Sequence, residues 1–252
     1  MKLLQLNVWM GRLTRQILPL IERERPDIIT AQELFSSKEK MPFPDRTFNV
    51  LELMQQVGRY EHVYFSPICE FDYSGMTIGM GNGIFSKYPL ENMKTVFTNG
   101  AFQPNGDASI FEANCRNAQI VTVRLPGNRQ LHLINHHGYW QPNPVGNEQT
   151  VASMQKIVNE VRMLEGPVVL SGDLNIDPGT PAMQLFDGLL EDLTTKYEVT
   201  NTLSALGKLQ GVAPDHILVS PQVRVRNFRV LDDLVSDHCA LVAEFDIQRL
   251  SE

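Results

Sequence analysis

Short apolar runs that read as β-strands outnumber helical stretches along this chain, and they fall into clusters with the helices set between them. "KLLQLNVW" opens as a strand, and "LTRQILPLIERER" follows with Leu13, Ile17, Leu20 and Ile21 at helical spacing. Pro26 ends that helix, and "DIITAQE" begins a second strand. The middle carries "GIFS" at 83–86, "SIFEANC" at 109–115, "QIVTVRL" at 119–125 and "LHLIN" at 131–135, joined by short turns such as "LPGNRQ" that suit antiparallel hairpins. A long helix is expected over 148–164, with Val151, Met154, Val158 and Val161 on one face and Gly166-Pro167 as its stop. "VVL" at 168–170 reads as a buried strand, and "TPAMQLFDGLL" as a helix with Thr180 at the N-cap and Pro181 in its first position. "HILVS", "QVRVRNFRV" and "ALVAEF" close the chain as strands. This order fits an α/β sandwich with mixed sheets better than a doubly wound parallel sheet. With no solenoid repeat and no low-complexity linker, residues 1–252 read as one domain. Segments 36–47, 66–82, 98–108 and 138–147, rich in Gly, Pro, Asn and Ser, are expected as loops.

Composition narrows the function. The chain is 42% hydrophobic and 20% charged, a globular profile. No apolar run reaches the roughly 18 residues of a membrane span. The opening "MKLLQLNVWM" is interrupted by Gln5 and Asn7 where a signal peptide needs unbroken apolar sequence, so a cytoplasmic protein is expected. Cys69, Cys115 and Cys239 are widely spaced and form no CxxC pair, which suits buried thiols. A net charge of −7 disfavours a broad basic surface for duplex DNA, while leaving room for a local cationic site and a short or single-stranded nucleic acid. The basic run "VRVRNFRV" reads as a solvated edge strand, Arg224 and Arg226 on one face and Arg229 on the other.

Polar residues punctuate the strand ends. Asn7 ends the first strand, Glu33 the second, Asp173 and Asn175 follow the strand at 168–170, Asp215 begins "DHILVS", and Asp237-His238 precede the last strand. Each alone is an ordinary cap or turn residue. Together they offer what phosphoester hydrolysis needs. A hard cation such as Mg²⁺ takes oxygen ligands and one or two carboxylates, which Glu33 and Asp237 supply. Asp173 and Asn175 suit the orientation of an attacking water, and His137 and His238 the developing charge.

In chain order, "LNVW", "PDIITAQE", "GNGIFSKYPL", "INHH", "SGDLNIDP", "PDHILVS" and "SDHCALVAEF" resemble the motif series of the endonuclease/exonuclease/phosphatase superfamily, metal-dependent phosphodiesterases that include DNases, apurinic endonucleases and neutral sphingomyelinases. The resemblance spans residues 3–245. It implies a four-layer αββα sandwich: two mixed, mostly antiparallel sheets face to face, helices outside, and a site at one edge between the sheets. Carried over by position, Glu33 resembles the metal-binding glutamate and Asn7 the asparagine that supports metal and phosphate. Asp173 resembles the water-activating aspartate, with Asn175 beside it on the phosphate. His238 resembles the terminal histidine oriented by Asp215, and Asp237 the aspartate available to a metal, Mg²⁺ or Mn²⁺. His137 resembles the mid-chain histidine that stabilises the pentacovalent state or assists the leaving group. Whether His238 or Asp173 acts as base is open at this stage.

The stretch "NHHGYW" departs from the family's usual Thr-His-Leu, so His136 competes with His137 for the role. His132 alternates with His136 on one strand face, away from His137, and His62 and His216 read as structural. Arg116 suits either a salt bridge that supports the site or a phosphate contact. Tyr139 and Trp140 suit an aromatic-anchored loop or a stacking surface, as do Phe71 and Tyr73. Two competing functions are a catalytically silent binding member of the fold and a zinc hydrolase using His136-His137. The substrate is expected to be a phosphate ester.

Overall fold

The structure is a computed structural model that describes residues 1–37, 48–106 and 113–247. Two six-stranded sheets pack face to face. The first is built from β1 (Lys2–Asn7), β2 (Ile28–Ser37), β3 (His62–Tyr73), β4 (Met76–Ser86), β11 (Val223–Leu231) and β12 (Ala240–Ile247), in the order β11-β12-β1-β2-β4-β3. The second holds β5 (Leu90–Asn99), β6 (Arg116–Leu125), β7 (Arg129–His136), β8 (Val168–Asp173), β9 (Glu191–Asp192) and β10 (Asp215–Val219), in the order β5-β6-β7-β8-β10-β9. Neighbours are antiparallel except β1–β2 and β7–β8. Both parallel pairs are joined through helical segments, as parallel connections require.

Helices α1 (Thr14–Glu24) and α2 (Val50–Gly58) cover the outer face of the first sheet, where Ile17, Leu20, Ile21, Val50 and Met54 join Leu4, Leu6 and Ile29 in one core. Helix α3 (Glu148–Arg162) covers the second sheet with Met154, Ile157, Val158 and Val161 against Ile120, Ile134 and Leu170. Asn147 caps α3 through a reciprocal pair with Thr150, which satisfies its first free N–H groups. The result is four layers, each side chain so buried contributing about 1.5–3 kcal/mol. Among the described residues no helix is long and apolar enough to cross a membrane.

The layer between the sheets changes character along the strands. Because side chains alternate, Leu3, Gln5 and Asn7 face inward from β1, and Ile28, Thr30 and Gln32 from β2. Leu133 and Asn135 do so from β7, and Val169, Ser171 and Asp173 from β8. At one end Leu3, Ile28, Leu133, Val169, Ile217 and Phe245 form an apolar core. Toward the other end amides and hydroxyls take over. Gln5 Nε2 donates to Gln32 Oε1 (3.0 Å), Gln32 Nε2 to Asn135 Oδ1 (2.7 Å), and Asn135 Nδ2 to Gln119 Oε1 (2.9 Å). Thr30 and Ser171 hydroxyls meet at 2.8 Å, and Asn82 reaches Asn117 Oδ1 at 2.7 Å. All of these residues are buried, so each bond is made where an unmade one is costly.

Several local expectations change. Segment 66–82 is not loop but most of the β3–β4 hairpin, turned at Ser74-Gly75. Its glycines answer to close packing, since a Cβ on Gly81 would lie 2.2 Å from the Ser66 carbonyl oxygen where β3 bulges. Of the strand expected at 109–115, residues 109–112 lie outside the described set and 113–115 are not strand, with Asn114 in a left-handed turn before β6. Part of 36–47 and of 98–108 is likewise outside it. The helix after Pro178 is a single turn, α4 (Pro181–Gln184), because Thr180 holds the cap position without a cap bond and turns up to Gly188 follow. Val151 is only half-buried on α3. The basic run is edge strand β11, and a bulge after Val225 breaks the simple alternation; Arg226 pairs with Asp246 and Arg229 with Glu24. The three cysteines are free and buried.

His216 is structural, as its sequence setting suggests. On the outer face of β10 its Nδ1 lies 3.1 Å from Asp192 Oδ2 and its Nε2 2.8 Å from the Ile176 carbonyl, so both nitrogens face acceptors. Asp192 also caps the short helix α5 (Leu193–Lys196). Burial works against the His216 cation, but Asp192 outweighs it and holds the pKa above 6.5; burial likewise works against the Asp192 anion, and His216 holds it below 3.8. The His216 contribution is therefore complete below pH 6.5 and fades as pH rises through its folded value. The Asp192 contribution is complete above pH 3.8 and fades as pH falls. His216→Gln should lower stability most between those two values, with the gap from wild type shrinking on the alkaline side. Urea unfolding across a pH series checks this, and a constant gap through pH 9 would contradict it. In the same assay, Asn135→Leu should cost about 2–4 kcal/mol by removing the acceptor of Gln32 and the donor to Gln119 and to the Ala31 and Gly83 carbonyls.

Candidate active site

The polar end of the inter-sheet layer is where the strand-end residues meet. Asp173, the last residue of β8 rather than one beyond the strand, pairs in register with Asp215 at the start of β10. Its Oδ2 accepts from Asn7 Nδ2 at 3.0 Å, and His137 Nε2 and His238 Nε2 stand 3.5 and 3.7 Å away. Those last two distances are too long for hydrogen bonds. Its Oδ1 accepts the backbone N–H of Asn175 at 3.0 Å.

Backbone irregularities set these positions. Gly172, with φ +155°, approaches His136 so closely that a Cβ there would lie 1.8 Å from its carbonyl oxygen. Asn175 is left-handed at φ 58°, which turns the chain back over the site, and its Nδ2 donates to the Gly138 carbonyl at 3.2 Å. Gly138 N–H in turn donates to the Asp173 carbonyl at 2.8 Å. Glu33 is left-handed at φ 56° inside a β2 bulge between Ala31 and Leu34. A bulge re-aims a side chain, and here Glu33 accepts from Asn7 Nδ2 at 3.2 Å.

His238 is held by a relay. Its Nδ1 lies 2.8 Å from Asp215 Oδ2, which also accepts from Thr202 Oγ1 at 2.7 Å, while Asp215 Oδ1 accepts from Gln5 at 3.1 Å. Residues 202–204 are zipped to 237–239 by Cys239 N–H to the Thr202 carbonyl and Ser204 N–H to the Asp237 carbonyl. His136 and His137 point apart: His136 Nε2 meets Thr98 on the outer face at 3.2 Å, whereas His137 faces Asp173. Of the two, His137 is the one turned toward Asp173, and rings on opposite faces do not suit a joint zinc site. Sequence reasoning missed Thr202 and Gln5. Nothing in a loop threonine signals such a role, but a glutamine inside an apolar strand is a buried polar group in need of a partner.

Burial and charge divide the titrating groups. Burial pushes Asp173 up to about 6, against the pull of His238. Burial opposes the His238 cation, but Asp215 and Asp173 overcome it and hold the pKa well above 6.5. Burial, with the Arg116 charge adding to it, holds His137 well below 6.5. Glu33 and Asp237 are both raised, first by burial, and Asp237 adds to the effect on Glu33. The site thus raises Asp173 toward neutrality, favours the cation at His238 and disfavours it at His137.

Asp173, Asp215 and His238 bring ligand atoms within 4.8 Å of one another. Both Asp215 oxygens are already committed to hydrogen bonds with Gln5, Thr202 and His238. The donors that fit a hard cation are Glu33, whose Oε2 has no hydrogen-bond partner among the described residues, and Asp237, whose Oδ2 has none; the Asn7 amide oxygen already accepts the Trp9 N–H at 3.0 Å. Two neighbouring carboxylates, each made harder to ionise by burial, form a set that Mg²⁺ or Mn²⁺ would relieve. Of the flanking aromatics, Trp140 is exposed and its backbone is tied to Asn114 rather than packed, while Phe71 and Tyr73 belong to a cluster with Phe35 and Phe48.

Residues 4–238 match a family model described as the Endonuclease/Exonuclease/phosphatase family. No curated protein matches the chain. Among solved structures, an endonuclease/exonuclease/phosphatase from Beutenbergia cavernae aligns with TM-score 0.73 at 19% identity, covering 98% of this chain and 71% of that one. A mannosyl-6-phosphatase from Bacteroides thetaiotaomicron aligns with TM-score 0.71 at 18% identity, covering 98% and 100%. The human Nocturnin catalytic domain, solved with a bound sulfate anion, aligns with TM-score 0.66 at 18% identity, covering 98% and 94%. At these identities the likeness is one of fold.

The close approach of the two loops makes a test. A Cβ on Gly138 would lie 2.0 Å from the Leu174 carbonyl oxygen, so Gly138→Ala must part His137 from Asp173 and Asn175. We expect a stability loss of about 1–3 kcal/mol, read by urea unfolding. Wild-type stability in this variant would contradict the packing.

Proposed function

The chain belongs to the endonuclease/exonuclease/phosphatase family, and we propose that its strand-end site hydrolyses a phosphate ester with a divalent cation by direct attack of water. The observation that carries this reading is the convergence of Asn7, His137 and His238 on one oxygen of Asp173, beside Glu33 and Asp237 with open carboxylate oxygens. Glu33 and Asp237, with Asn7 supporting, would hold Mg²⁺ or Mn²⁺, which when bound would supply Lewis-acid neutralisation of phosphate charge. Asp173 takes the proton of the attacking water, for which a pKa of about 6 suits it near neutral pH. Asn7 and the Asn175 backbone fix its orientation. His238, kept protonated by Asp215, donates to a phosphate oxygen, and His137 donates to the same charge or to the leaving oxygen. Asn175 holds the phosphate through its amide. No covalent intermediate is needed.

Both a phosphomonoester and a phosphodiester fit this chemistry. The charge of −7 tilts the reading away from broad duplex DNA and leaves short or single-stranded nucleic acid as a second substrate class. The presence of every site residue argues against a silent binding member. Residues 1–252 acting as one domain, and a reducing, cytoplasmic setting for its three unpaired thiols, complete the proposal.

A substrate panel tests it: sugar phosphates, inositol phosphates, abasic and single-stranded DNA, RNA, sphingomyelin and an aryl phosphodiester, with Mg²⁺ or Mn²⁺. We expect hydrolysis of at least one, loss on adding EDTA, and about 10²–10⁴-fold lower kcat in Asp173→Asn and His238→Ala. Inactivity of the wild type on all of them contradicts the reading, and undiminished activity in the variants contradicts the roles.

A further inference from the structure

The chain has two tryptophans, and each follows a site residue closely. Trp9 comes two positions after Asn7, and its backbone N–H donates to the Asn7 amide oxygen at 3.0 Å. One face of its ring is taken, because the Arg12 guanidinium lies over it at 4.5 Å. Trp140 comes three positions after His137, and its ring is bare. It is 51% exposed, joins none of the three apolar clusters, and has neither an aromatic nor a cationic ring partner among the described residues.

The backbone beneath that indole is held firmly. Asn114 Nδ2 donates to the Trp140 carbonyl at 2.8 Å, and Asn114 Oδ1 accepts the Trp140 N–H at 3.2 Å, as a neighbouring strand would. Asn114 is buried and left-handed at φ 51°, a conformation that asparagine adopts more readily than most residues. Its carbonyl accepts from Asn99 Nδ2 at 2.8 Å, and Asn99 Oδ1 accepts from Gln149 Nε2 in the first turn of α3 at 2.8 Å. Two residues before Trp140, the Gly138 N–H donates to the Asp173 carbonyl at 2.8 Å, while the Gly138 carbonyl accepts from Arg116 Nε at 2.8 Å and Asn175 Nδ2 at 3.2 Å. Two residues of chain span about 7 Å at most, so the Trp140 backbone is fixed at the rim of the site.

Anchoring an indole that stays in water gives folding little. It suits a ligand that brings a flat face of its own, since a platform already held loses little freedom on binding. Nucleobases are such ligands, because every base has a π-face that stacks on an aromatic side chain. We propose that Trp140, positioned by Asn114, is the platform on which the base of a nucleotide ester stacks, and so selects the leaving group. This rests on the phosphate-ester reading above, in which His137 serves the phosphate charge or the leaving oxygen. The competing role is an indole that only shields the loop, which would leave phosphates with and without a base indistinguishable.

Adenosine 5′-monophosphate and ribose 5-phosphate are the probes, since they share phosphate and sugar and differ in the base. Their binding to the full chain is measured by calorimetry and indole fluorescence with Mg²⁺ present, and melting curves are run alongside. Wild type should bind the adenosine compound about 5–100-fold more tightly, and only that compound should quench the fluorescence. Trp140→Ala should abolish the preference with an unchanged melt, leaving ribose 5-phosphate binding within twofold of wild type. Trp140→Phe, which keeps a flat ring, should retain part of the preference and lose the quench. Asn114→Ala should shrink the preference without weakening ribose 5-phosphate. Equal binding of the two probes by wild type, a preference that survives in Trp140→Ala, or equal loss of both probes there would overturn the platform; an unchanged preference in Asn114→Ala would overturn the positioning. Binding of neither probe also overturns the platform, while hydrolysis in the substrate panel judges the phosphate-ester reading separately. A Trp140-dependent preference in a wild type that hydrolyses no ester would leave the platform standing and the hydrolase reading fallen.

Discussion

A buried line of amides and hydroxyls between the two sheets is the constraint on which the site depends. Gln5, Gln32, Asn135 and Gln119 bond in sequence across the sandwich, while Thr30–Ser171 and Asn82–Asn117 run beside them. Apolar packing would tolerate a slide of one sheet over the other by part of a residue. Hydrogen bonds at 2.7 to 3.0 Å do not, because displacement leaves buried polar groups unmade. The line ends in Asn7, Asp173 and Asp215, so the register of the sandwich and the geometry of the site are one and the same property.

The same layout explains why chemically similar groups behave differently. His137 and His238 both stand near Asp173, but burial, with the Arg116 charge adding to it, holds the His137 pKa well below 6.5, whereas at His238 Asp215 and Asp173 outweigh burial and hold it well above. Asp215 has both oxygens occupied and acts through the histidine it holds. Asp173, whose Oδ1 accepts the Asn175 N–H, turns its Oδ2 toward Asn7 and two imidazoles. Residue type alone assigns none of these roles; the partner of each group does.

The strand-end residues themselves were legible in the sequence because Asn7, Glu33 and Asp173 follow apolar runs while Asp215, Asp237 and His238 precede them, and their order along the chain carried the family resemblance. Where His136 and His137 point follows from the same alternation, but only the paired strands show which face is inside. The β3–β4 hairpin was hidden because Gly79 and Gly81 read as loop, although they answer to close contact with β3. Glu33 gave no sign of its bulge, since no sequence rule places a left-handed glutamate in a strand. Thr202, Gln5 and the shared Gly138 carbonyl act through residues distant in the chain, and only the fold brings them together.

The central claim is that the polar ends of these strands gather around one cation and one phosphate. An anomalous-scattering map from crystals soaked in Mn²⁺ and phosphate tests it most directly. The account predicts a manganese peak on the Glu33 and Asp237 carboxylates, with phosphate density reaching Asn175, Arg116 and His238. Manganese bound instead on Asp173, Asp215 and His238, or no ordered metal at this end of the sandwich, would contradict it.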